Sequence, residues 1–155
     1  MATLKVLAIA AASGRVGYVF LVDGQLRDWR ISGKAAKSKK LASSMAQAWI
    51  DRLRPEVVVT EKISDAAKKG ALTKAIIEGI ATTAANNYVL DVSVARVHDF
   101  ANKYDEAEAL ARRYPELANW LPKKRRFFDN EPRNTVLFEA LSLSQNRNRQ
   151  KTRAI

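Results

Sequence analysis

The chain has no cysteine. Disulfides and thiolate metal sites are therefore excluded, and the absence fits a reducing, intracellular setting. No apolar run approaches the roughly 18 to 20 residues that a membrane helix needs, so no membrane partner is expected. Leu4 to Ala12 is apolar but lacks the cationic flank of a secretory leader, so no signal peptide is expected and a cytoplasmic location is. Histidine occurs once, at His98, and no acidic residue occurs before Asp23. Over the 155 residues, 27 Lys and Arg stand against 16 Asp and Glu, a net charge of +11. From Lys123 to Arg153 nine residues are basic and three acidic. A field of that sign favours a polyanion such as DNA, RNA or an anionic surface; the plainer reading is that it only aids solubility. The length suits one domain with one sizeable core.

The apolar pattern predicts a mixed sheet. Residues 3–11 read as a buried strand, and residues 16–22 as a second with Tyr18 and Phe20. Asp23-Gly24 is a two-residue hairpin signal, and residues 25–31 follow as a third strand with Leu26, Trp29 and Ile31. A basic linker holds Lys34, Lys37, Lys39 and Lys40, and a helix is predicted over 38–54 with Leu41, Met45, Ala48, Trp49 and Leu53 on its buried stripe. Pro55 ends it. Residues 55–61 form a continuous apolar run of the kind found in a parallel strand covered on both faces. A helix over 64–85 is expected to bury Leu72, Ala75, Ile76, Gly79 and Ile80, followed by a strand over 88–94. Residues 105–113 read as a helix with acids first and arginines last, as the helix dipole favours. Residues 115–132 are irregular, basic and aromatic, and residues 133–145 form a final helix burying Val136, Leu137, Ala140, Leu141 and Leu143. The sum is one α/β domain over 1–145, with a basic, flexible tail over 146–155. Its five-stranded mixed sheet has an antiparallel meander, then parallel strands, and helices on both faces.

Three motifs carry a resemblance. Ile9-Ala10-Ala11-Ala12-Ser13-Gly14-Arg15-Val16-Gly17-Tyr18 resembles the opening of RuvC-type Holliday junction resolvases, where the first strand ends in an aspartate and the second starts with glycine and an aromatic. Val57-Val58-Val59-Thr60-Glu61 is similar to the family strand that ends in a glutamate. Phe138-Glu139-Ala140-Leu141 is similar to its last helix, with Glu for the usual Asp. The three follow in order over residues 4–145. The resemblance implies a ribonuclease H-like fold and a structure-selective DNA endonuclease acting on branched or junction DNA, in recombination or repair. It also implies a homodimer, since two symmetric cuts need two sites.

The resemblance further implies two-metal phosphodiester hydrolysis with Mg2+ or Mn2+, the ions about 4 Å apart. Here the position of the first-strand aspartate is Ala10, and that of the second last-helix ligand is Val136. Glu61 and Glu139 remain as implied catalytic and metal-ligating residues. An alanine methyl has no lone pair, so metal should bind weakly and cleavage be slow or absent. Ala10 is either a replacement in a working nuclease or a natural loss in a relative that kept binding. The alternative function is a non-catalytic nucleic-acid-binding module on the same fold. A sugar-kinase or actin-like reading is disfavoured, because that class needs two such domains. Glu61 and Glu139 also read as solvated carboxylates, Asp91 as a substitute ligand or a strand residue, and His98 as a packing residue. Lys123, Lys124, Arg125 and Arg126, with Phe127 and Phe128, suit phosphate contact and base stacking, or a loop pinned by its aromatics. Arg15, in the turn at the implied active edge, and Lys103, where the family carries DNA-facing lysines, are further candidates for phosphate contact.

Overall fold

The computed structural model describes residues 4–63, 69–95, 103–121 and 134–153, with the backbone alone for Lys103 and for residues 146–153. Among these residues five strands form one sheet: β1 (Lys5–Ala12), β2 (Arg15–Val22), β3 (Gln25–Ser32), β4 (Val57–Glu61) and β5 (Leu90–Val94), in the order β3-β2-β1-β4-β5. The first three form the expected meander. Asp23 and Gly24 both take positive φ, 52° and 80°, as the tight turn requires. The Leu4 amide closes that end on Asp23 Oδ1 at 2.7 Å. β4 then pairs parallel with β1, Ala8 beside Val59, and β5 pairs parallel with β4. β1 is thus central, covered on both faces.

Among the described residues, four α-helices flank the sheet: α1 (Lys39–Leu53), α2 (Ala71–Ala85), α3 (Lys103–Arg113) and α4 (Thr135–Arg153). Ser38 caps α1 by accepting the Leu41 amide at 3.1 Å, and Arg54 closes it in the left-handed region ahead of Pro55. α1 and α2 pack on one face of the sheet with Leu7, Ile9, Ala11, Tyr18 and Val58. α3 and α4 pack on the other with Val6, Ala8, Ala10, Val57 and Val59. This alternation is the strand period of two.

Several expectations need correction. α1 buries Ala42, Ala46 and Ile50 beside the expected Trp49; Met45 and Leu53 pack against the core only partly buried, and Ala48 is exposed. α2 starts at Ala71, and Leu72 is 55% exposed while Thr73 and Ile77 are inside. An apolar stripe in an alanine-rich helix is wide, so small residues take the inward positions where two helices approach closely. α4 is longer than expected, running to Arg153. No described helix is long and apolar enough to cross a membrane.

Candidate functional site at the end of the central strands

The strand ends Ala12, Arg15, Ser32, Glu61 and Val94 lie at one end of the sheet, because β2 alone runs against β1, β3, β4 and β5. Glu61 follows Val57 and Val59 on the α4 face and projects beyond the last apolar pair. α4 crosses this face and brings Glu139, which is buried at 8% exposure. The two glutamates, 78 residues apart in the chain, meet at one nitrogen. Lys69 Nζ lies 3.1 Å from Glu61 Oε2 and 3.4 Å from Glu139 Oε2. It also donates to the Ala11 carbonyl at 2.7 Å. An ammonium has three N–H groups, and three oxygens surround it.

The two other positions marked by the motifs are apolar and buried. Ala10 is 3% exposed and pairs across the ladder with Gly17. Val136, fully buried one helical turn before Glu139, lies over Gly17: a Cβ on that glycine would sit 2.7 Å from Val136 Cγ1. The glycine of the Gly17-Tyr18 pair thus makes room for α4. Tyr18 points to the opposite face, 4.9 Å from the Trp49 ring centre, and donates to Asp28 Oδ2 at 2.6 Å. Arg52 donates to the same Tyr18 oxygen. Burial, then the Asp28 carboxylate, pushes the Tyr18 hydroxyl up to about 12. Asp91 pairs with Val58 and so lies on the α1–α2 face, away from Glu61. The pleat removes it as a substitute ligand.

Among the described residues, no group of three or more His, Cys, Asp or Glu is placed to hold a metal ion. Two carboxylates already engaged by a lysine, with Ala10 and Val136 beside them, do not fit a two-metal centre. Of the cationic candidates, Arg15 is 9% exposed and its guanidinium donates to the Ser13 carbonyl at 3.1 Å. Lys103 opens α3. His98 and Lys123, Lys124, Arg125 and Arg126 lie outside the described residues. Sequence reasoning missed Lys69. Nothing beside it in the sequence sets it apart from a solvated lysine.

The fold is similar to that of solved Holliday junction resolvases. The Thermus thermophilus RuvC structure superposes with a TM-score of 0.66 over 97% of this chain and 97% of that one, at 13% identity. The fold is that of the RuvC-type resolvases. T. thermophilus RuvC in complex with a Holliday junction substrate matches at a TM-score of 0.58 and 10% identity, covering 96% of this chain and 97% of that one. Fowlpox virus resolvase with its substrate junction DNA matches at 0.58 and 13% identity, covering 94% and 98%. No family model and no curated protein sequence matches the chain. On this resolvase fold, ribonuclease H-like in its mixed sheet, the Lys69 cluster falls at the carboxyl ends of the central parallel strands, where open α/β sheets place their ligands.

Proposed function

We propose that this chain binds branched DNA of the Holliday-junction kind and holds it without cutting it. One observation carries the reading: on a resolvase fold, Glu61 and Glu139 are joined through Lys69, while Ala10 and Val136 stand at the two other ligand positions that the resemblance implies. The alternative, a metal-dependent endonuclease using Mg2+ or Mn2+, needs oxygen ligands that these two side chains cannot supply.

The charge distribution supports a DNA partner. Lys34, Lys37, Lys39, Lys40 and Lys62 are exposed and follow strand ends on the same end of the sheet as Glu61. Neither α1 nor α2 has an acid in its first turn. Positive side chains beside positive helix ends repel one another, and a phosphate backbone relieves that repulsion. Lys103, Lys123, Lys124, Arg125 and Arg126 extend the proposed contact, and Arg15 supports its turn. A homodimer is part of the proposal, since it would match the two-fold symmetry of a junction; sedimentation tests it.

The test is fluorescence anisotropy on four-way junction, flap and duplex DNA, in EDTA and in Mg2+ or Mn2+, with the products run on a denaturing gel. The expected result is preferred junction binding that is indifferent to metal, with intact strands. Metal-dependent incision would restore the endonuclease reading, and equal affinity for all three DNAs would remove the junction.

A further inference from the structure

We infer that the Lys69 ammonium is a resident counter-ion standing in for a divalent cation, and that Glu61, Glu139 and the Ala11 carbonyl form a latent single-metal site that opens when Lys69 is removed. The inference concerns the same site as the proposed function but does not depend on DNA binding, and its test contains no DNA.

The geometry points to a cation's place more than to a phosphate contact. Lys69 Nζ is surrounded by three oxygens from three separate elements, β1, β4 and α4. Donating to the Ala11 carbonyl and to Glu139 and paired with Glu61, it has little left to offer a phosphate. The side chains involved are largely enclosed, at 21% exposure for Lys69, 13% for Glu61 and 10% for Glu139. Two carboxylates held this close repel each other and need a positive charge between them. Lys69 supplies it from the residue before Gly70, the N-cap of α2. A tethered cation is present at a fixed local concentration, whereas a free ion must compete for the place.

The oxygens themselves are what a hard divalent ion takes. Mg2+ and Mn2+ are bound by one or two carboxylates, with carbonyls and waters completing the shell. Two carboxylates and a carbonyl meet that need for one ion. No second metal is implied, because Ala10 and Val136 offer no ligand.

The experiment follows Mn2+ binding by electron paramagnetic resonance and thermal shift on the full chain, on Lys69→Met and on Lys69→Met/Glu61→Gln. Methionine keeps the apolar stem and removes the charge. The wild type should show no saturable Mn2+ binding and no change in Tm. Lys69→Met should bind one Mn2+ at least about tenfold more tightly than the wild type, with Tm rising as Mn2+ is added. Adding Glu61→Gln should abolish both effects. A folded Lys69→Met that binds no Mn2+ overturns the inference, as does a wild type that binds Mn2+ as tightly. The wild type provides an independent measurement should Lys69→Met not fold. The 15Nζ signal of the Lys69 ammonium should stay sharp in dilute Mn2+, and selective broadening of that signal would show that metal already enters beside it.

Discussion

Gly17 on β2 and Val136 on α4 are in contact so close that no side chain fits between them. A Cβ at position 17 would lie 2.7 Å from Val136 Cγ1 and 3.4 Å from the Val136 backbone. Valine in a helix has essentially one χ1 rotamer, so it cannot swing away. Gly17→Ala should therefore cost about 1–3 kcal/mol through overpacking. Val136→Ala should itself destabilise by opening a gap, yet the double variant should be more stable than the sum of the two costs predicts. A double-mutant cycle from urea melts checks this, and strict additivity would mean that the two residues do not press on each other.

Ala10→Asp puts a carboxylate on a strand position that is 3% exposed, beside Gly17 and on the same face as Val136. Buried charge without a full set of partners is costly, so a stability loss of about 1–3 kcal/mol is expected. The variant should still leave junction DNA intact in Mg2+ or Mn2+, because Lys69 continues to engage Glu61 and Glu139. Thermal melts and a junction gel give the two readouts. Metal-dependent cutting by this single variant would show that Lys69 yields to metal once a third acid is present.

Tyr18 titrates far above its ordinary value of 10.0, at about 12, because it is buried and donates to Asp28. The folded state holds this proton more tightly than the unfolded chain does. Its contribution to stability is therefore complete below pH 10.0 and is lost as pH rises through about 12. Tyr18→Phe should lower stability near neutral pH by about 1 kcal/mol through the lost hydrogen bond. It should also flatten the decline of stability across that alkaline window relative to wild type. Urea melts at a series of pH values measure both, and parallel declines would place the alkaline loss in other groups.

The exposed lysines at the start of α1 make a quantitative claim. Each cation that meets a phosphate releases condensed counterions, so the log–log slope of affinity against salt should fall by about one for each contact removed. The triple variant Lys34→Gln/Lys37→Gln/Lys40→Gln is expected to weaken junction binding and flatten the slope by up to about three on that basis. Replacing Lys123, Lys124, Arg125 and Arg126 together tests the second basic segment in the same way. A set whose removal leaves the slope unchanged lies outside the interface.

The sequence by itself determined the order of strands and helices. β-branched runs, Asp23-Gly24 and Pro55 act over a few residues, and such local signals survive without tertiary context. It also pointed to Glu61 and Glu139, through the resemblance of their strand and helix motifs to those of the RuvC-type resolvases. The buried faces of α1 and α2 were less legible: alanine serves as core or surface, and the approach of the two helices chose Ala42 and Ala46 over Ala48. Asp91 showed the reverse case, where only the register with Val58 fixed which side of the sheet it occupies. Lys69 was left to the tertiary structure altogether. A lysine beside a helix start is ordinarily a solvated charge, and nothing nearby in sequence distinguishes this one. It becomes the counter-ion of two distant glutamates only when the β1–β4 pairing and the crossing of α4 bring Ala11, Glu61 and Glu139 around one nitrogen. Electrostatic attraction between groups 8 and 70 residues away acts through space, and the fold sets that spacing.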